Sequence, residues 1–145
     1  MNISRNVLAG IALLFLAACQ QPAKPPLVAS SKSALELRSM QARSFDTGDR
    51  NKTVRTVIAT LQDLGYSIDK VETQTGTVSA TKLAVLRMTV TVTPRGDNRL
   101  VVRANAIVVG KEAEHEVDDP AFFQQRFFEP LSKAMFLSAN AADET

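Results

Sequence analysis

The feature that most restricts the fold is a strict alternation of apolar and polar residues on both sides of one turn. The apolar members all have even numbers: Met88, Val90, Val92, Leu100, Val102, Ala104, Ala106 and Val108. The odd positions carry Arg87, Thr89, Thr91, Val101, Arg103 and Asn105. A connecting loop of three or five residues, either 96–98 or 94–98, would place both apolar sets on the same side. The pattern therefore predicts an antiparallel hairpin with one buried face and one face in water.

Further elements are predicted before this hairpin. Residues 35–45 are expected to form a first strand. Apolar residues then recur every three or four positions, which predicts a helix over residues 50–64 that ends at Gly65. The residues of this stripe are Val54, Val57, Ile58, Leu61 and Leu64. Two short alternating segments, residues 66–71 and 77–81, predict another hairpin.

A last helix is predicted to begin at Asp118-Asp119-Pro120, because aspartate favours a helix N-terminus and proline its first turn. One face of this helix carries Phe123, Phe127, Leu131, Ala134 and Met135. Pro130 is expected to kink the helix or to divide it in two.

The predicted order is β-α-β-β-β-β-α, which indicates an α+β two-layer sandwich. We expect an antiparallel sheet of four to five strands with two helices on one face. Residues 35–137 would form this single domain. Residues 138–145 are small and polar, and are expected to form a disordered tail.

The N-terminus carries a short export pattern. Arg5 precedes an apolar run over residues 7–16, and the small residues Ala17 and Ala18 lead directly to Cys19. A run of this length is too short to span a membrane, which takes about 20 residues. The segment Leu16-Ala17-Ala18-Cys19 resembles the lipobox of bacterial lipoproteins.

This resemblance implies that residues 1–18 are a signal peptide and that Cys19 becomes the lipidated N-terminus of the mature protein. It also implies the outer membrane as the location, facing the periplasm, because Gln20 stands where an aspartate would favour retention at the inner membrane. Residues 20–34 are rich in proline, serine and alanine and predict a flexible linker. Such a linker could hold the domain up to roughly 40 Å from the bilayer.

The order of elements is similar to that of small domains in lipoproteins of outer-membrane assembly machines, such as the β-barrel assembly complex. This similarity lies in the predicted fold and not in a motif, so it implies little about activity.

Composition excludes several classes of function. The net charge of +2 is too small for the basic surface of a nucleic-acid-binding protein. The single cysteine, Cys19, leaves no disulfide and no thiol nucleophile once it is lipidated.

No catalytic residue, metal site or cofactor is predicted. The only histidine, His115, lies among Glu112, Glu114, Glu116, Asp118 and Asp119. These carboxylates could bind a cation weakly, but their spacing matches no calcium loop and no zinc motif. A solvated acidic loop is the preferred interpretation. No serine lies in the turn motif of a hydrolase nucleophile, so we do not expect an enzyme.

Five of the seven phenylalanines lie between Phe122 and Phe136. A single helix cannot easily bury Phe122 and Phe128 on the same side as Phe123 and Phe127, so these two are expected to stay partly exposed for a partner. Arg87 and Arg103, on the polar face of the hairpin, are the other candidate partner-binding residues.

Two functional hypotheses follow. The first is a membrane-anchored interaction or scaffolding module that binds an envelope protein. The second is a carrier that holds a hydrophobic ligand or lipid between the sheet and the helices. An apolar cavity of several hundred Å³ between the layers would favour the carrier.

Overall fold

The computed structural model describes the backbone of residues 24–143 and the side chains of residues 24–136. The predicted signal peptide and Cys19 lie outside the described residues. In chain order the elements are β1 (Leu27–Val28), α1 (Ala34–Gln41), β2 (Ala42–Phe45), α2 (Arg50–Asp63), β3 (Ser67–Glu72), β4 (Thr77–Lys82), β5 (Leu86–Pro94), β6 (Leu100–Val109), β7 (Glu114–Glu116), α3 (Pro120–Phe123), a π-helical turn (Gln124–Phe128) and α4 (Glu129–Asp143).

The α+β class is confirmed, but the sheet is larger than expected, and both the number and the order of the helices differ from the two predicted. Seven strands form one sheet in the order β1-β7-β6-β5-β4-β3. β2 also pairs with β6, on the edge that β6 shares with β7. The pairing of β1 with β7 is parallel, so the sheet is mixed.

The long hairpin has the predicted register. Val90 pairs with Ala104 and Pro94 with Leu100, which is the register of the expected loop over 96–98. The loop between the paired residues is 95–99 and not the alternative 94–98. The even positions from Met88 to Val92 and from Leu100 to Ala106 are almost fully buried. Val108, the last member, is an exception because its side chain is 43% exposed.

The helix over residues 50–64 is confirmed as α2. The Asp49 carboxylate accepts a hydrogen bond from the Lys52 amide at 2.8 Å and caps its first turn. Gly65 follows with a φ of +83°, a conformation that glycine adopts without strain. The shorter hairpin is also confirmed, as β3 and β4.

The predicted first strand over residues 35–45 is wrong for most of its length. Residues 34–41 form α1, and only the last four residues, β2, are extended. The reason is a capping box: the Ser33 hydroxyl accepts from the Glu36 amide, and the Glu36 carboxylate accepts from the Ser33 amide at 2.8 Å. The Ser33 hydroxyl also donates to the Glu36 carboxylate at 2.7 Å, and this bond, together with the one from the Ser33 amide, holds the pKa of Glu36 below its ordinary value.

The segment before α1 differs from the free linker expected over residues 20–34. Leu27 and Val28 pair with β7, and the Pro26 carbonyl accepts from the Glu114 amide at 2.9 Å. The Ser30 hydroxyl donates to the Asp118 carboxylate at 2.6 Å. Residues 24–30, which we call the N-terminal strap, therefore lie along the sheet edge formed by β7.

The last helix begins where it was expected, with Asp119 as its cap and Pro120 in its first turn. It is interrupted by the π-helical turn directly before α4, whose second residue is Pro130. A proline ring clashes with the carbonyl four residues earlier, and the wider turn opens the helix at that place. The tail expected from residue 138 is helical as far as Asp143.

The core fills the space between the even-numbered sheet face and the helices. Its largest fully buried side chains are Phe123, Phe127, Phe128, Leu61, Met88, Leu100 and Leu131. Among the described residues, no helix is both long and apolar enough to cross a bilayer.

Candidate functional site

Phe128 is not the exposed side chain that the helical pattern predicts. Its exposure is only 1%, against 0% for Phe123 and Phe127. In a regular α-helix a residue five positions after Phe123 would be rotated away by about 140°. The π-helical turn, with its bond from the Glu129 amide to the Gln124 carbonyl, brings Phe128 back above Phe123.

Arg43 covers the outer side of Phe128. Its guanidinium carbon lies 5.1 Å from the centre of the Phe128 ring, within the range of a cation–π contact. The same guanidinium donates to the Ser39 carbonyl and to the Gln124 side chain, both at 2.8 Å. Arg43 thus joins the end of α1 to the π-helical turn.

Phe122 remains a candidate for partner contact, since its side chain is only partly buried. Its ring meets Phe123 edge to face, with the centroids 5.3 Å apart. Phe136 is 66% exposed.

Arg87 lies on the polar sheet face and forms an ion pair with Glu114 at 3.0 Å. Lys24 of the N-terminal strap approaches the other oxygen of Glu114 at 3.6 Å. Glu114 is buried, but the hydrogen bond from Arg87 outweighs burial and holds the pKa of Glu114 below its ordinary value. Arg87 is therefore engaged within the protein.

Arg103 belongs to a second polar network on the same face. It donates to the buried Gln41 side chain at 3.4 Å, and Gln41 donates to Glu116 at 3.4 Å. Glu116 also accepts from Asn105 and from the Ser30 amide, each at 3.2 Å. No local sequence pattern predicts this network, because its members lie up to 86 residues apart.

The acidic segment around His115 is not a solvated loop. Residues 114–116 form β7, with Glu114 and Glu116 on the polar face and His115 exposed on the other. In the part of the chain that the structure describes, no three His, Cys, Asp or Glu side chains are grouped so as to hold a metal ion. Every buried side-chain polar atom described has a hydrogen-bond partner.

A groove of about 520 Å³ opens at the surface between α1 and α3. Its lining includes Lys32, Glu36, Met40, Ala121, Gln124 and Gln125. Charged groups lie on the α1 side, side-chain amides on the α3 side, and Met40 and Ala121 supply apolar surface. This mixture suits a peptide, whose backbone needs both donors and acceptors, better than an acyl chain. The groove was not predicted, because residues 35–45 were expected to form a strand and α1 occupies most of that segment.

The polar sheet face is the other broad surface. It carries the half-exposed side chains Thr77, Ser79, Thr81, Thr89, Thr91 and Asn105. Hydroxyl groups in rows across neighbouring strands can bind water or a polar partner, but no arrangement among them resembles a nucleophile with its base.

No protein-family model matches the sequence, and a search of curated proteins finds no relative.

Proposed function

We propose that this chain is a lipid-anchored protein of the bacterial cell envelope whose domain faces the periplasm and binds another envelope protein. The lipobox-like segment ending at Cys19 supports the anchoring at the outer membrane. The similarity to domains of outer-membrane assembly lipoproteins stays a prediction.

The filled core is the observation that favours an interaction module over a carrier of a hydrophobic ligand. Phe123, Phe127 and Phe128 occupy the space between sheet and helices and are at most 1% exposed. A carrier needs an apolar cavity in that space. The 520 Å³ groove lies instead at the surface and has charged groups on its wall.

Within this proposal the groove between α1 and α3 binds an extended segment of the partner. Gln124 and Gln125 would offer donors and acceptors to the peptide backbone, and Lys32 would attract an acidic side chain. The Gln125 side chain is exposed, so a partner can reach it.

The anchoring is tested by Cys19→Ser. We expect the variant to fold but to leave the membrane fraction, because the lipid is the attachment and the core is a separate part of the chain. Fractionation of the envelope after a high-salt wash measures the result. If the Cys19→Ser protein still sediments with outer membranes, lipid anchoring is wrong.

The interaction is tested by a photo-crosslinking amino acid at position 125, in bacteria that make the protein natively. We expect a discrete crosslinked species that affinity purification and mass spectrometry identify as an envelope protein. The matched control has the same amino acid at position 97, an exposed residue in the β5–β6 loop. Equal products from both positions, or none from position 125, would contradict a partner in the groove.

A further inference from the structure

Exposed apolar side chains gather at one end of the sheet. Of the eight large apolar side chains exposed in the described part of the chain, five lie there: Leu27 (53%), Val28 (48%), Leu83 (83%), Val85 (50%) and Val108 (43%). We call these five residues the end patch. The register places Leu27 on the polar face with Glu114, and Val28 and Val108 on the opposite face with His115, so the end patch extends over both sides of this end of the sheet. Exposed apolar surface of this kind marks a site of contact with a protein or a membrane.

Strand pairing brings the end patch together. Val108 pairs with His115, and His115 pairs with Val28, so the three lie in one row across neighbouring strands about 4.8 Å apart. The Val109 amide donates to the Val85 carbonyl at 2.7 Å, which places the β4–β5 turn beside the same row.

The turn that carries Leu83 is strained. Leu83 and Ala84 have φ values of 52° and 55°, whereas the preferred residues in a turn with two positive φ angles are Asn and Gly. A bulky residue in this conformation is uncommon and points to a local function. Here the turn projects an apolar side chain into the surroundings.

The chain enters the domain at this same end. Lys24, the first described residue, lies 3.6 Å from Glu114, and Glu114 pairs with Leu27. Lys24 is five positions after Cys19, and a fully extended chain of five residue steps spans at most about 18 Å. A lipid on Cys19 would therefore hold the end patch close to the bilayer, well within the roughly 40 Å that a free linker would allow.

The exposed charges at this end have both signs. Lys24 is exposed, as are Lys111 and Glu112 in the β6–β7 turn, while Glu114 is buried, paired with Arg87 and approached by Lys24. Lysine side chains beside apolar ones are typical of protein surfaces that rest on anionic lipid headgroups.

We infer that the end patch docks on the bilayer that holds the lipid of Cys19, with Leu83 and Val85 entering the headgroup region. This inference rests on the anchoring in the proposed function. It fixes the orientation of the domain: the five-residue β5–β6 loop at the opposite end of the sheet points away from the membrane, and the groove between α1 and α3 is held at a fixed place relative to it.

The chain contains no tryptophan, so a single introduced indole reports on its surroundings without ambiguity. The protein is isolated from bacterial membranes as Leu83→Trp, Val85→Trp or the control Asp97→Trp, and is placed in vesicles of phosphatidylethanolamine and phosphatidylglycerol. We expect a blue-shifted emission and quenching by brominated acyl chains at positions 83 and 85. At position 97 the emission should stay that of an indole in water. Two positions are tested because tryptophan at position 83 replaces a residue with a positive φ, whereas Val85 does not have one.

The outcomes separate the inference from the anchoring. If mass spectrometry finds no lipid on Cys19, the anchoring fails, and coupling the free thiol to a maleimide lipid supplies the same attachment for the same measurement. No quenching at positions 83 and 85 in lipid-attached protein overturns the inference while leaving the anchoring intact. A third outcome also overturns the inference. The indole would then be unquenched in vesicles but become buried when envelope proteins are added, which would assign the end patch to contact with a protein.

Discussion

Phe128 shows how the winding of one turn decides which side chain reaches the core. The π-helical turn places it with Phe123 and Phe127, and Arg43 closes its outer side. A helix of uniform pitch would have left Phe128 at the margin of the apolar stripe. The burial of Phe128 therefore depends on the local backbone as much as on its own hydrophobicity.

We predict that Phe128→Ala destabilises the protein by about 3–5 kcal/mol, as truncation of a fully buried phenylalanine does. Phe136→Ala should cost about 0.5 kcal/mol or less, because that ring is 66% exposed. Urea unfolding of both variants measures the difference. A cost below about 1 kcal/mol for Phe128→Ala would mean that the ring is not part of the core.

The free energy of unfolding is expected to depend on pH through the carboxyl group of Glu114. The ordinary pKa of its carboxyl is 4.5, and Arg87 lowers it in the folded protein. The pair therefore contributes its full stability above the ordinary pKa, and the contribution is lost as the pH falls through the lowered value. We expect the unfolding free energy of the wild type to fall more steeply between about pH 6 and about pH 3 than that of Glu114→Gln. Parallel curves from urea titrations would show that the ion pair contributes nothing.

At the scale of elements, the long hairpin is the part of the fold that the sequence predicted best. Its period of two persists over both strands, and a shift of one residue would turn Val90 and Val102 into solvent. Burial of the even positions from Met88 to Val92 and from Leu100 to Ala106 makes any other register unfavourable.

The two faces of this hairpin predict opposite responses to a charge. Val90→Asp should destabilise the protein by more than about 3 kcal/mol, because it places an unpaired carboxylate in a position with 0% exposure. Thr91→Asp, on the polar face, should change the unfolding free energy by at most about 1 kcal/mol. Chemical unfolding of the two variants makes the comparison, and equal losses would mean that both faces are covered.

Elements without a long period were harder to predict. α1 has only eight residues, and its start depends on two reciprocal bonds between Ser33 and Glu36. The π-helical turn has no periodicity of its own, and Pro130 indicates an irregularity without giving its form. β1 has two residues and forms only because β7 lies beside it. In each case contacts outside a local repeat decide the structure.

At the scale of the whole molecule, the N-terminal strap would connect the proposed lipid anchor to the domain. Ser30 binds Glu116 and Asp118 across 86 and 88 residues, and such long-range bonds leave no trace in a local pattern. For the same reason the sequence identified Arg87 and Arg103 as polar-face residues but not their engagement with Glu114 and Gln41. Under the proposed lipid anchoring, a strap fixed from Leu27 onward would make the attachment short and would give the domain one orientation toward the membrane.

Glu116 joins the strap to the domain, since it accepts from the Ser30 amide and from the side chains of Gln41 and Asn105. We predict that Glu116→Ala loosens the strap, which the Ser30–Asp118 bond and the β1–β7 pairing also hold, while the core stays folded. A hydrogen bond to a charged group contributes about 1.5–3 kcal/mol, so local opening should become roughly tenfold more frequent or more. Tryptic cleavage after Lys32 should accelerate by that factor, while cleavage after Arg55 in α2 should keep its wild-type rate.

The matched control is Glu112→Ala, which removes an exposed carboxylate from the β6–β7 turn and should leave both cleavage rates unchanged. Release of residues 24–33 would lengthen the attachment from at most about 18 Å to about 50 Å. In lipid-attached protein, the indole of Leu83→Trp should then lose its quenching by brominated chains when Glu116→Ala is added. If cleavage after Lys32 accelerates but quenching at position 83 persists, the end patch binds the bilayer by itself; if neither changes, Glu116 does not hold the strap.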